Sequence, residues 1–149
     1  MNRDFVEMLS ALSAADVEFI IVGAHALAAH GVARATGDID IWVRASEDNA
    51  KRVMTALGAF GAPLFDLTID DLLRTDTVFQ IGIPPGRIDL LTGISGVSFD
   101  DAWKNRVTLA LPGVESPTAV LGRADFIANK RATGRAKDLL DIQLLEEAE

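Results

Sequence analysis

Residues 17–31, VEFIIVGAHALAAHG, pass from a β-like run into a helix-like one at a single glycine. This junction most constrains what the chain can fold into. The apolar run ending at Gly23 reads as a short buried strand. The alanine-rich stretch after it reads as a helix stopped by Gly31 at a C′-type position. Small residues at the turn let a ligand approach the backbone. The helix start offers unpaired N–H groups and a positive dipole end, both suited to phosphate. A plain tight turn explains Gly23 equally well, since the stretch is neither GxGxxG nor a lysine-bearing P-loop.

The other segments repeat this alternation. DFVEMLSALSAA carries Phe5, Met8, Leu9 and Leu12 at helical spacing. DIDIWV is the next strand. SEDNAKRVMTALGAFG is a helix with Ser46 as N-cap and Glu47 and Asp48 in its first turn. APLFDLTIDDLLRTD reads as a loop or short strand and then a short helix. TVFQIGIPPGRIDLLTGI reads as a hairpin about the PPG turn. FDDAWKN is a short helical or irregular piece, and RVTLALPGVESP a weaker second hairpin. From Thr118 the pattern is helical to the end, broken near Gly134. The expectation is an α/β (α+β) fold: one domain over residues 1–149, a mixed β-sheet flanked by helices, and a C-terminal helical segment over about 117–149.

RATGDIDIWV, residues 34–43, puts two aspartates into a strand-like run. Aspartate is depleted in strands, so Asp38 and Asp40 call for a reason. Alternation places Asp38, Asp40 and Trp42 on one face, and Ile39, Ile41 and Val43 on the other, the core face. The two carboxylates stand about 6–7 Å apart at Cα, within reach of one metal ion or a close pair. A solvent-facing strand end is the other reading. Asp89 follows the PPG turn between Ile88 and Leu90 and points away from the core side, unless it merely sits exposed on a hairpin. Three aspartates on adjacent strands would make an all-oxygen site favouring Mg²⁺ or Mn²⁺.

Composition narrows the field. A chain of 149 residues suits one domain with a full core. With no cysteine, a disulfide scaffold and a cysteine zinc site are excluded. A net charge of −8 argues against non-specific nucleic-acid binding by the whole molecule, while a local basic patch can still hold a nucleotide. No apolar run approaches the roughly 18–20 residues of a membrane span. The N-terminus lacks a signal-peptide layout, so the expected location is the cytoplasm.

Gly23-Ala24, AHALAAHG, RATGDIDIWV and GRIDLL together resemble the nucleotidyltransferase superfamily, which has the DNA polymerase β-like fold. The resemblance runs from about Val17 to Leu145. It departs at Ala24, which stands where the pattern has a second glycine or a serine; a backbone N–H remains there, but no hydroxyl. The resemblance implies two Mg²⁺ or Mn²⁺ ions, with Asp38 and Asp40 as ligands to both. It implies that Asp89 holds the ion nearer the acceptor and assists its deprotonation. The substrate implied is an NTP, whose NMP passes to a hydroxyl of a tRNA, a partner protein or a small molecule, releasing pyrophosphate.

The resemblance also implies nucleotide contacts from Gly23 and Ala24, from Arg34 and Thr36, and from Lys130 with Arg135 or Lys137 nearby. A solvated loop is the other reading of Arg34. A solvated helix face, paired as Arg135–Asp138 and Lys137–Asp141, is the other reading of the C-terminal cations. NKRATGRAKDLLDIQLL resembles the basic helices of small bacterial members, including relatives of the abortive-infection nucleotidyltransferase toxins. A cognate toxin or antitoxin partner is therefore expected. A catalytically silent relative, acting as a binding module or antitoxin, is the rival to an enzyme. His25 and His30 lack the i,i+4 spacing of a zinc pair and read as packed or surface residues. Trp42 and Trp103 read as packing, with base stacking by Trp42 as the alternative.

Overall fold

Four consecutive apolar residues, Phe19–Val22, form β1 in the computed structural model, and all four are buried. The structure describes residues 1–33 and 37–148. β1 pairs antiparallel with β2 (Ile39–Val43) and parallel with β6 (Thr118–Val120). β4 (Ile88–Leu91) runs parallel to β2. β3 (Val78–Ile81) and β5 (Val107–Leu109) flank the sheet antiparallel to β4 and β6. The order is β3-β4-β2-β1-β6-β5. The expected mixed sheet is therefore present, and helices accompany it as the sequence pattern requires.

α1 (Arg3–Ala14) buries Phe5, Met8, Leu9 and Leu12, the stripe its periodicity predicts, and packs against α3 (Glu47–Phe60). Ser46 caps α3 by accepting from the Asn49 N–H, and Gly61 ends it in the left-handed region at φ 86°. Asn49 is buried and works as a clasp. Its Oδ1 accepts from the Glu18 N–H at 2.7 Å, and its Nδ2 donates to the carbonyls of Glu18 and Arg44 at 3.0 and 2.9 Å. It thereby joins the start of β1 to the end of β2. α2 (Gly23–Ala29), α4 (Ile69–Leu73) and α5 (Phe99–Asn105) are short. α6 (Arg123–Thr133) and α7 (Ala136–Glu147) meet at Gly134.

Two expectations are corrected at the C-terminal end. The second hairpin does not close within residues 106–117, because β5 pairs with Thr118–Val120. The helical segment begins at Arg123 rather than near residue 117. Thr118–Val120 is drawn into the sheet by β1, and the Leu121 N–H continues that pairing by donating to the Ile21 carbonyl at 3.0 Å. His30 adds a contact between its Nε2 and the Leu121 carbonyl at 2.7 Å, so it packs as expected.

Two alternatives also fall. Trp42 is 1% exposed and meets Phe99 of α5 edge-on, with ring centroids 5.1 Å apart, so it cannot stack on a base. Asp89 is 7% exposed between β2 and β3, so it is not an exposed hairpin residue.

Candidate active site

The parallel register of β2 and β4 sets Asp40 beside Asp89. The antiparallel register of β1 and β2 sets Val22 beside Asp40, so the chain turns into α2 at the same end of the sheet. Gly23 makes that turn at φ 69°, where residues with a Cβ are strained. A Cβ on Gly23 would also collide with Asp40 Oδ2 and approach its Cγ to 3.3 Å. Glycine is required here by backbone and by space. Val22 gives no side-chain cap to the first-turn N–H groups of α2, and Ala24 lies partly buried in that turn.

Asp38, just before β2, is tied to the other strand through Arg87. The Arg87 N–H donates to Asp38 Oδ1 at 3.1 Å, and Nη2 lies 3.4 Å from Asp38 Oδ2. Nε and Nη2 donate to Asp89 Oδ1 and Oδ2 at 2.8 and 3.2 Å. One guanidinium thus spans two of the three carboxylates. Sequence reasoning missed Arg87. Its signal is its place two residues before Asp89, on the same side of the strand.

Asp40 is left outside this fork. Burial, followed by the charge and hydrogen bond of Asp89 and the charge of Asp38, pushes its carboxyl from 3.8 up to about 6, while Lys130 pulls the other way. Carboxylates this close repel one another. A divalent cation relieves the same crowding, and carboxylate oxygens are its preferred donors. Among the described residues, no three acidic or imidazole side chains are gathered closely enough to hold one ion as they stand. The donor chemistry fits a hard cation, and the present arrangement is held by Arg87 instead.

Lys130 approaches from α6. Its Nζ lies 3.4 Å from Asp138 Oδ1 and 3.6 Å from Asp141 Oδ2, both carboxylates buried on α7. Arg135 Nε donates to Asp138 Oδ2 at 2.8 Å, and this pairing holds the Asp138 carboxyl well below the usual range. The expected Arg135–Asp138 pair is therefore present, while Asp141 is engaged by Lys130. Gly23, Asp38, Asp40 and Asp89 meet at one end of the sheet, and the charge of Lys130 is felt at Asp40. Arg135 joins them only through Asp138, and Lys137 stands exposed on α7. Arg34 and Thr36 lie outside the described residues. His25 packs edge-on against Phe5 at 5.6 Å, and burial lowers its pKa, opposed by a hydrogen bond to the Asp38 backbone.

A cavity of about 440 Å³ opens at the other end of β2, lined by residues including Trp42, Arg44 and Phe99. Arg44 is committed there to Glu18, Asp100 and the Phe99 ring, so that cavity is separate from the carboxylate chemistry.

Residues 4–146 match the model of a family described as "Nucleotidyltransferase of unknown function (DUF6036)". The chain belongs to this nucleotidyltransferase family. Its fold is similar to that of a proposed nucleotidyltransferase from Thermotoga maritima, with a TM-score of 0.62 at 15% identity, covering 97% of this chain and 89% of that one. A nucleotidyltransferase-like antigenic protein from Paracoccidioides brasiliensis aligns at TM-score 0.49 and 14% identity, over 99% of this chain and 77% of that one. No curated protein matches. Among the described residues of this nucleotidyltransferase-family chain, no helix is long and apolar enough to cross a membrane.

Proposed function

We propose that this family member is a metal-dependent nucleotidyltransferase that moves an NMP from an NTP to a hydroxyl acceptor. The observation that carries the reading is the side-by-side register of Asp40 and Asp89, with Gly23 pressed against Asp40 and Asp38 joined to Asp89 through Arg87. Three carboxylates at one sheet end suit hard divalent cations such as Mg²⁺ or Mn²⁺. Such cations would neutralise the triphosphate and lower the pKa of the acceptor hydroxyl.

The residues divide the remaining work. Asp38 and Asp40 would hold the cations, and Asp89 would help hold the one nearer the acceptor. Asp89 would accept the proton as the acceptor oxygen forms its bond to the α-phosphorus and the bond to pyrophosphate breaks. The narrow turn at Gly23 and Ala24 lets phosphate oxygens reach backbone N–H groups. Lys130, whose charge is felt at Asp40, would attract the triphosphate. Arg34 and Thr36 precede Asp38 in the chain and are assigned to the phosphates on the family resemblance alone. The acceptor is a tRNA end, a protein side chain or a small molecule.

The test is incubation with each α-³²P-labelled NTP, Mg²⁺ or Mn²⁺, and fractionated RNA, protein and small molecules. A labelled acceptor is expected. Asp40→Asn should lower transfer by about 10²-fold or more, the scale of losing an electrostatic stabiliser. Asp89→Ala should lower turnover more than nucleotide affinity. Nucleotide binding without any labelled product would overturn the enzymatic reading and leave a binding module.

A further inference from the structure

We propose that Arg87 is a built-in counter-ion: its guanidinium occupies the cation position of the carboxylate cluster and has to swing out before a divalent cation can bind. The proposal rests on the metal-dependent reading above and adds a control on that site.

The geometry separates a fixed backbone from a movable side chain. The Arg87 N–H is held by Asp38 Oδ1, and its carbonyl accepts from the Ile39 N–H at 3.0 Å. The turn before it is pinned as well, with the Gly86 N–H donating to the Gly37 carbonyl at 2.5 Å. The hydrogen bonds and ion pairs described for the side chain all end on Asp38 and Asp89. The side chain is 27% exposed, so solvent offers an exit without any movement of β4.

Charge explains why the position is filled. Guanidinium stays protonated throughout the physiological range, and its fork matches a carboxylate bidentately. With Arg87 in place, one positive charge serves Asp38 and Asp89. A divalent cation brings twice the charge and can engage oxygen atoms from all three. The two states compete at Asp89, because the fork lies against both of its oxygens and its positive charge repels a cation there. Apparent metal affinity is then reduced by the fraction of molecules in which Arg87 is docked.

The experiment compares the wild-type chain with Arg87→Gln, using Mn²⁺ alone as the probe. Calorimetric titration should give the variant a lower Kd by about two- to five-fold, the range for a partly exposed ion pair. The metal-free variant should melt below the metal-free wild type. With saturating Mn²⁺ that gap should close, since the pair it removes is already broken in the loaded wild type. A mere repulsive charge near the site would weaken metal binding without stabilising the metal-free protein. Equal Kd values for the two chains would overturn the counter-ion proposal while leaving the metal-dependent reading intact. Absence of Mn²⁺ binding in both would overturn the metal reading and this proposal with it. If Arg87→Gln fails to fold, the wild-type chain decides by NMR. The Arg87 Nε–H resonance should shift and lose its protection on saturation with Mg²⁺, and an unchanged resonance would overturn the proposal.

Discussion

Gly23 and Asp40 face each other across the ends of β1 and β2 with no room for a methyl group between them. Gly23→Ala should therefore destabilise the chain twice, through its φ of 69° and through the collision with the carboxylate. A total of about 1–3 kcal/mol is expected, read as a lowered Tm. Asp40→Ala in the same chain should restore the collision part and leave the backbone part, so a double-mutant cycle will show coupling. Asp40→Asn tests the crowding by itself. It keeps the shape, removes one of three neighbouring negative charges, and should raise the Tm of the metal-free protein at pH 7.5. The two residues were legible to different degrees. Asp38 and Asp40 stood out because aspartate is rare in strands, and Asp89 because it broke an apolar run. Arg87 did not stand out, since an arginine after a turn is ordinary until the parallel register of β2 and β4 puts it opposite Asp38. That register depends on pairing between segments nearly fifty residues apart, which local periodicity does not encode.

At the scale of elements, the joint between α6 and α7 is an electrostatic one. Asp138 is fully buried at the start of α7 and serves Arg135 and Lys130 together. Its folded value lies below the ordinary carboxylate value of about 3.9. A depressed carboxylate contributes stability that is full above its unfolded value and is lost as pH falls through it toward the folded value. The Tm difference between wild type and Asp138→Asn should thus be large at pH 7 and shrink below about pH 4. Lys130→Met should strip both Asp138 and Asp141 of a partner, at about 3 kcal/mol of stability, the low end for breaking a buried pair, because Arg135 remains. Any effect on nucleotide KM has to be read against that loss. Helices were the more readable elements. Ser46 and Gly134 mark boundaries through local chemistry that a sequence displays. β6 was not readable: three residues, Thr118–Val120, are too few to alternate, and they are a strand because β1 supplies their partner.

At the scale of the molecule, the site is assembled from β1, β2, β4 and α6, in a protein whose net charge is −8. A ligand that binds only the folded state stabilises it by about 2.7 kcal/mol at a hundred times its Kd. For a chain of this size, Mg²⁺ with a non-hydrolysable NTP should raise the Tm by about 5–10 °C. Nucleotide without the cation should do much less, and scanning calorimetry will separate the two. Asn49 has a consequence of another kind. Strand ends normally fray, and their amides trade hydrogen for deuterium within minutes while strand centres hold theirs. Here a buried side chain on α3 holds the beginning of β1, and the Arg44 N–H donates to the Glu18 carbonyl at 3.1 Å behind the same clasp. The amides of Glu18 and Arg44 should therefore take up deuterium as slowly as those of Ile20 and Ile41. In Asn49→Ala they should exchange early, while the middle of the sheet keeps its label.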